Sequence, residues 1–347
     1  MMCSSQPPEC DSEFNSIGSV PGSVSSEIVR EAETVFQSLS SELRLHNSCL
    51  PIAKLPNELL INIIHRSLYG LEKEYFIRLW SLSQVSTLWY DLVKHSPTLW
   101  GYTHSEHTTT EVELALRRSK GALIDVVYVH KGDEPYLEAV LKERSRWRSF
   151  RFKIRHETRS TDLLGYLSQG IFEHLEEVDL TYLPIGWYPL LLDNPIGPHM
   201  PRLRHLRLSD ITVAWDSDIP SNLDTLSLIF VDWGSGPSTK QVMGILHASP
   251  SLTSLQLRCY EMPPGAPYSP TTISLPRLHT LDLDLPVWKA GQLFTSLDIP
   301  FCRRFNLHFV AERPEEFYSV GCKILSSMLT SATGIHLDIS SWKITFK

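Results

Sequence analysis

A short apolar spacing recurs along the last two thirds of this chain and constrains its fold more than any other feature. The triplet Leu-x-x-Leu-x-Leu occurs at Leu203/Leu206/Leu208, Leu223/Leu226/Leu228, Leu252/Leu255/Leu257 and Leu278/Leu281/Leu283. Related triplets with other apolar residues begin at positions 124, 147, 175, 302 and 332. The 49 leucines among 347 residues predict about one strict triplet by chance. Starting points spaced 20 to 30 residues apart therefore indicate a repeat.

The triplets have a direct structural meaning. Their last two apolar residues are two positions apart, so on a β-strand they point to the same face. One such strand has nothing to bury that face against, whereas strands stacked in parallel share a continuous core. Helical spacing between triplets, over 133–147, 162–172, 238–247 and 314–329, predicts segments that return the chain behind the sheet. The intervals resemble those of leucine-rich repeats. We therefore predict an α/β solenoid over 112–347, with a curved parallel sheet and with helices and loops on its convex side.

Polar residues alternate with the apolar ones and face the other side of each predicted strand. Because solenoids bind partners on their concave sheet, we predict that an unknown target protein contacts this row. The predicted contact residues are Arg151, Asp179, Arg207, Gln256, Arg258, Asp282, Asn306 and His336. A solvated face without a ligand is the alternative. Only ten residues follow Leu337, which indicates either an atypical final strand or a truncated end.

The N-terminal part has a different pattern. Residues 1–25 are rich in Ser, Pro, Gly and Glu, and we expect a disordered tail. Apolar residues at helical spacing predict a helix over 26–48 and a compact all-α block over 52–102. Asn57 is expected to cap the first helix of this block. One apolar face is predicted for that helix, formed by Leu59, Leu60, Ile63, Ile64 and Leu68.

Three parts of the block match a known motif in order and spacing. They are Leu55-Pro56-Asn57-Glu58-Leu59-Leu60, Val85-Ser86-Thr87-Leu88-Trp89 and Ser96-Pro97-Thr98-Leu99-Trp100. The block resembles the F-box, and the layout resembles F-box proteins of mushroom-forming fungi. The resemblance implies a substrate-recognition subunit of an SCF-type E3 ubiquitin ligase, which binds a Skp1-like adaptor and, through it, a cullin. By position, the implied Skp1-binding residues are Leu55, Pro56, Leu59, Val85, Trp89, Leu99 and Trp100, with a core position as the alternative for Trp89.

Two other function classes stay open. A leucine-rich-repeat scaffold or adaptor without a ligase role would use the helical block only as an N-terminal cap. A hydrolase or transferase would need a deep pocket with carboxylates of perturbed pKa. The sequence has no Gly-x-Ser-x-Gly elbow, His-Glu-x-x-His motif or phosphate loop, so we expect neither enzyme activity nor a cofactor. His104 and His107 have a metal-like spacing, but no second ligand pair follows, and no metal site is expected.

Charge and cysteine use limit the partners and the location. The chain has 32 Lys and Arg against 39 Asp and Glu, which argues against general nucleic-acid affinity. In residues 142–155 cationic residues alternate with aromatic ones, as in proteins that bind single-stranded nucleic acid. The register of these residues, however, fits an amphipathic β-strand of the repeat. No apolar stretch is long enough for a membrane span. Six scattered cysteines without a C-x-x-C pair favour a reducing, cytoplasmic and/or nuclear setting.

Overall fold

The computed structural model of the chain describes residues 26–129, 134–155, 171–183, 190–191, 200–213, 221–230, 237–259, 272–310, 335–338 and 343–346. The predicted tail over 1–25 lies outside these ranges. The predicted return helix over 314–329 and most of the one over 162–172 lie outside them as well.

Helices occupy the first part of the described chain. They are α1 (Ser26–Cys49), α2 (Asn57–Leu68), α3 (Tyr75–Ser83) and α4 (Thr87–His95), with 3-10 turns over Pro51–Lys54 and Pro97–Trp100. Pro56, not Asn57, occupies the N-cap of α2, because proline lacks an N–H that the helix start would leave unpaired. Helix α4 begins after Ser86, whose hydroxyl accepts the N–H of Trp89.

The predicted apolar face of α2 divides into two. Leu60, Ile64 and Leu68 are buried in a core shared with α3 and α4, as the spacing of one helical turn requires. Leu59 and Ile63 stay exposed at 49% and 39% of their surface. The predicted apolar face is therefore buried only in part, because the neighbouring helices cover only one side of α2.

Within the described residues the main sheet has eleven strands, and the first nine of them are parallel and follow one another in chain order. They are β1 (Tyr102–His104), β2 (Ile124–Val129), β3 (Trp147–Arg155), β4 (Glu177–Leu183), β6 (His205–Ser209), β8 (Thr225–Phe230), β9 (Ser254–Cys259), β11 (Thr280–Pro286) and β13 (Arg304–Val310). The short strands β5 (Leu190–Leu191) and β7 (Ile211–Thr212) pair with each other, as do β10 (Ile273–Ser274) and β12 (Leu297–Asp298). The α/β fold with a parallel repeat sheet is confirmed.

Return helices lie between some of the strands. They are α5 (Thr109–Ser119), α6 (Glu134–Leu141), α7 (Thr239–His247) and α8 (Val287–Ser296). Capping boxes begin two of them, from Thr108 with Glu111 and from Ser238 with Gln241. Helices α6 and α7 fall within the predicted return segments, whereas α5 and α8 were not predicted.

The repeat leucines align across the sheet. Leu206, Leu226, Leu255 and Leu281 are paired from strand to strand, and all are buried in one continuous core. Burial of each side chain contributes about 1.5–3 kcal/mol relative to exposure. The sheet is therefore held by a ladder of apolar contacts that no single repeat makes alone.

The predicted register of β2 was wrong by one residue. The triplet placed Val127 and Val129 towards the core, but the core residues are Val126 and Tyr128. An irregularity in pairing between Ile124 and Asp125 shifts the strand against β3. A shift of one residue exchanges the two faces of a strand.

The end of the sheet also differs from the prediction. The neighbour of β13 is β15 (Lys343–Phe346), and the predicted repeat strand β14 (Ile335–Asp338) lies beyond it. Strand β15 pairs antiparallel with both. Antiparallel neighbours need only a short connection, whereas another parallel strand would need a crossover.

The helical block is continuous with the sheet. Strand β1 follows the Pro97–Trp100 turn directly and pairs with β2. At the junction a Cβ on Gly101 would lie 2.6 Å from the carbonyl oxygen of Leu123. Glycine is therefore required where these two backbones meet.

Candidate functional site

The predicted contact row lies on one face of the sheet and in register. Backbone pairing aligns Arg151, Asp179, Arg207, Ser227, Gln256, Asp282 and Asn306 across seven neighbouring strands. We call this row, with the residues two positions to either side on each strand, the polar face. Arg258 belongs to it because it lies two residues after Gln256.

His336 does not adjoin the row as predicted. Thr345 of β15 pairs with Asn306, and His336 pairs with Thr345 from the far side. The inserted strand therefore separates His336 from Asn306 by one strand position. The side chain of His336 lies outside the described residues.

Asp282 organises the C-terminal half of the polar face. Its Oδ2 accepts hydrogen bonds from Gln256 Nε2 and Arg258 Nη2, both at 2.8 Å. Its Oδ1 accepts one from Asn306 Nδ2 at 3.2 Å. Ser227 extends the network by donating to Gln256 Oε1 at 2.6 Å. Four predicted contact residues thus hold one another in place across three strands, which preorganises this half of the face.

The N-terminal half carries ion pairs between neighbouring strands. Arg151 Nε lies 3.1 Å from Glu177 Oε1. Arg207 Nε lies 3.9 Å from Asp179 Oδ1, too far for a hydrogen bond. Burial raises the pKa of Asp179, and the nearby charge of Arg207 opposes this effect only in part. The pair of Arg207 and Asp179 is therefore the looser of the two.

An open cavity of about 330 Å³ lies on this half, and we call it the polar-face cavity. Strands β3, β4, β6 and β8 form its floor, and Glu72, from the loop between α2 and α3, forms part of its wall. Glu72 Oε1 lies 3.2 Å from Lys153 Nζ. No local sequence signal marks Glu72 or Lys153, because residues 81 positions apart meet only when the block packs beside the sheet.

The implied Skp1-binding residues divide by burial. Pro56 is exposed, as are Leu55, Leu59 and Val85, at 37%, 49% and 58% of their surface. Trp89 is 8% exposed, and Leu99 and Trp100 are fully buried. A partner that docks on the folded chain can touch the exposed four directly.

The three buried motif residues belong to the core of the block. Trp100 Nε1 donates to the carbonyl oxygen of Val93 at 2.7 Å. Its ring stacks on Phe76, with 6.0 Å between centroids, and the guanidinium of Arg118 lies 4.6 Å from the Trp100 ring centroid. The structure therefore does not bring Trp89, Leu99 and Trp100 to the surface as contact residues. They hold the block in shape.

The histidines with metal-like spacing cap the end of β1. His104 Nδ1 accepts the backbone N–H of Glu106 at 3.0 Å, and His107 Nδ1 accepts that of His104 at 3.2 Å. Burial, followed by the charge of His104, lowers the pKa of His107 to about 4. In the described part of the chain, no group of three or more His, Cys, Asp or Glu side chains is placed to hold a metal ion.

His107 should make the stability of the protein depend on pH. Its pKa is about 4 in the folded chain and about 6.5 when unfolded, so between these values only the unfolded chain takes up the proton. We expect the contribution of His107 to the free energy of unfolding to fall by about 2 kcal/mol from pH 7 to pH 5. Urea denaturation of the wild type and of His107→Gln at both pH values measures this difference.

The exposed His279→Gln serves as the matched control and should leave the pH dependence as it is in the wild type. An equal loss of stability between pH 7 and pH 5 in the wild type and in His107→Gln would contradict the prediction.

Comparison of the chain with protein-family models, with curated proteins and with solved structures finds no match. None of the helices in the described ranges is both long enough and apolar enough to cross a membrane.

Proposed function

We propose that this protein is a substrate-recognition subunit of an SCF-type ubiquitin ligase. The helical block would bind a Skp1-like adaptor, and the polar face would bind the target. The observation that carries the proposal is the exposure of Leu55, Leu59 and Val85 within a block that has a well-formed core. Complete burial of such a side chain contributes about 1.5–3 kcal/mol, and each of the three forgoes the part of it that corresponds to its exposed surface. A contiguous exposed apolar patch is typical of an interaction site, and the proposal requires these three side chains to form one.

A residue of helix α2 outside the motif, Ile63, also supports adaptor binding. Ile63 follows Leu59 by one helical turn, so both side chains lie on the same outward side of the helix. Leu55 and Pro56 precede this helix directly. An apolar strip at the start of α2 is suited to receive a helix or loop of an adaptor.

The mechanism would be proximity and not chemistry. A bound target lysine would be held near a charged conjugating enzyme carried by other subunits, which raises the effective concentration of the two reactants. The ion pairs of Glu72 with Lys153 and of Lys73 with Glu106 join the loop of the block to the sheet region. Together with β1 they fix the orientation of the polar face relative to the block, so that a target would be presented at a defined distance.

Adaptor binding tests the proposal. The purified chain should bind a Skp1-like adaptor, and Leu55→Ala combined with Pro56→Ala should weaken binding by at least tenfold, because central apolar contacts each contribute roughly 1–2 kcal/mol. A pull-down followed by titration calorimetry measures both.

Phe301→Ala provides the matched control, since Phe301 is an apolar residue with 59% exposure outside the block. It should bind the adaptor as the wild type does. Failure of the wild type to bind would overturn the ligase proposal. Full binding by the double variant would overturn the contact assignment.

A scaffold without a ligase role is the second candidate. It is favoured by the direct pairing of β1 with β2, because this joins the helical block to the sheet as a terminal cap would be joined. A cap needs no adaptor. The same pull-down therefore separates the two candidates.

A further inference from the structure

We propose that the polar-face cavity binds an anionic side chain of the target, either a carboxylate or a phosphoryl group, with Arg207 as the main contact. This inference rests on the proposed role of the polar face in target binding. It does not require that the helical block binds Skp1.

The cavity is lined by equal numbers of cationic and anionic side chains, but these side chains are not equally well paired. The lining contains the cations Arg151, Lys153 and Arg207 and the carboxylates Glu72, Glu177 and Asp179. Arg151 and Lys153 reach their carboxylates at 3.1 and 3.2 Å. Arg207 stays 3.9 Å from its nearest carboxylate oxygen. Among the three cations of the lining, Arg207 is therefore the one whose donors are used least.

Arg207 is placed to receive an anion. Its side chain is 49% exposed, whereas that of Asp179 is 23% exposed. A guanidinium carries five N–H donors in a planar fork, which matches two oxygens of a carboxylate or phosphate. Asp179 Oδ1 also accepts the hydroxyl of Thr181 at 3.1 Å, so part of its bonding capacity is already used. An incoming anion would take up donors that Asp179 leaves unused.

His205 and Thr225 supply a further donor beside Arg207. His205 Nδ1 and Thr225 Oγ1 lie 2.9 Å apart in a hydrogen bond. If the threonine donates, the histidine keeps an N–H at Nε2, and if the histidine donates, the threonine keeps its O–H. Either tautomer leaves one donor. Because His205 precedes Arg207 by two residues on one face, their Cα atoms lie roughly 7 Å apart, close enough for one anion to meet both side chains.

A cationic side chain fits the cavity less well. The carboxylates Glu72 and Glu177 are already paired, so a target lysine that reached them would have to displace Lys153 or Arg151. The third carboxylate, Asp179, is only 23% exposed and lies beside the positive charge of Arg207, which repels a second cation. Displacement leaves a resident cation without its partner. The cavity should therefore select an anion over a neutral or basic group.

Peptide arrays test this selectivity. The peptides are nine residues long and carry Glu, phosphoserine, Gln, Ser or Lys at the centre. Each of the other positions holds an equimolar mixture of amino acids from which Asp and Glu are left out. We expect the purified full-length chain to bind Glu peptides, phosphoserine peptides or both about tenfold better than the Gln and Ser peptides, as one charge-assisted bidentate contact implies. A preference confined to Glu or to phosphoserine identifies the source of the anion, and either one supports the proposal.

Variants locate the selectivity. Arg207→Gln should reduce the preference to less than twofold, and Asp179→Asn should keep or increase it. Arg304→Gln is the matched control, because Arg304 is exposed on the polar face outside the cavity lining. Equal binding of all peptides, no binding, a preference for Lys, or an unchanged preference in Arg207→Gln would overturn the inference. Thermal unfolding by circular dichroism confirms that each variant is folded.

Adaptor binding by the same samples separates this inference from the proposed function. Arg207→Gln should bind Skp1 as the wild type does. A wild type that binds Skp1 without anion preference would refute the cavity proposal alone. A wild type that prefers anionic peptides but does not bind Skp1 would refute the ligase proposal alone.

Discussion

Trp100→Ala is expected to lower the free energy of unfolding by about 3–5 kcal/mol, the usual cost of removing a buried Trp side chain. The indole is fully buried, and its N–H donates to Val93. The substitution also removes the ring that packs on Phe76 and under Arg118. Urea denaturation followed by circular dichroism measures the loss. On the proposed function, adaptor binding should fall with it, although Trp100 is not on the surface.

Tyr69→Ala is the control for the Trp100 variant, because Tyr69 is an aromatic residue of the same block with 89% exposure. Its effect should stay within about 0.5 kcal/mol. Wild-type stability of Trp100→Ala would mean that the block is not organised around this residue.

Leu255→Ala is expected to lower the free energy of unfolding by about 2–5 kcal/mol, as large-to-small substitutions in well-packed cores do. Leu255 is fully buried in the middle of the sheet, with Leu226 and Leu281 paired to it on either side. The void left by the missing side chain would interrupt the apolar ladder between the two halves of the repeat array. Denaturation monitored by tryptophan fluorescence and by circular dichroism measures both the loss and the cooperativity of unfolding.

Leu183→Ala provides the same chemical change at a position with 45% exposure at the end of β4. It should lower the free energy of unfolding by well under about 1 kcal/mol, because little packing is lost. Similar costs for Leu255→Ala and Leu183→Ala would contradict the assignment of the repeat leucines to the core.

The strand positions of the repeats were predictable from spacing alone. An apolar residue two positions after another marks one face of a strand, and the nine triplets coincide with nine strands. The register of β2 was not predictable, because both Val126 and Val127 are apolar and alternation cannot choose between them. The antiparallel end of the sheet was also not predictable, since β14 carries a repeat-like triplet but its place in the sheet depends on β15.

The candidate site was predictable in part for a similar reason. Alternation placed Arg151, Asp179 and Arg207 on one face, because side-chain direction on a strand is local. Glu72 had no local signal, since it reaches the cavity only through the packing of the block. Nor did the motif distinguish the exposed Leu59 from the buried Leu99. Both are apolar, and exposure depends on what the neighbouring helices cover.

By itself the sequence determined a repeat sheet with a polar face and a helical block before it, because periodicity and alternation are local properties of the chain. Three features depended on the tertiary structure alone. They are the pairing of β1 that joins the two parts, the cavity between Glu72 and the strands, and the loose pairing that leaves Arg207 available. Each of these arises from contacts between residues far apart in the chain, and such contacts exist only when the whole chain is packed.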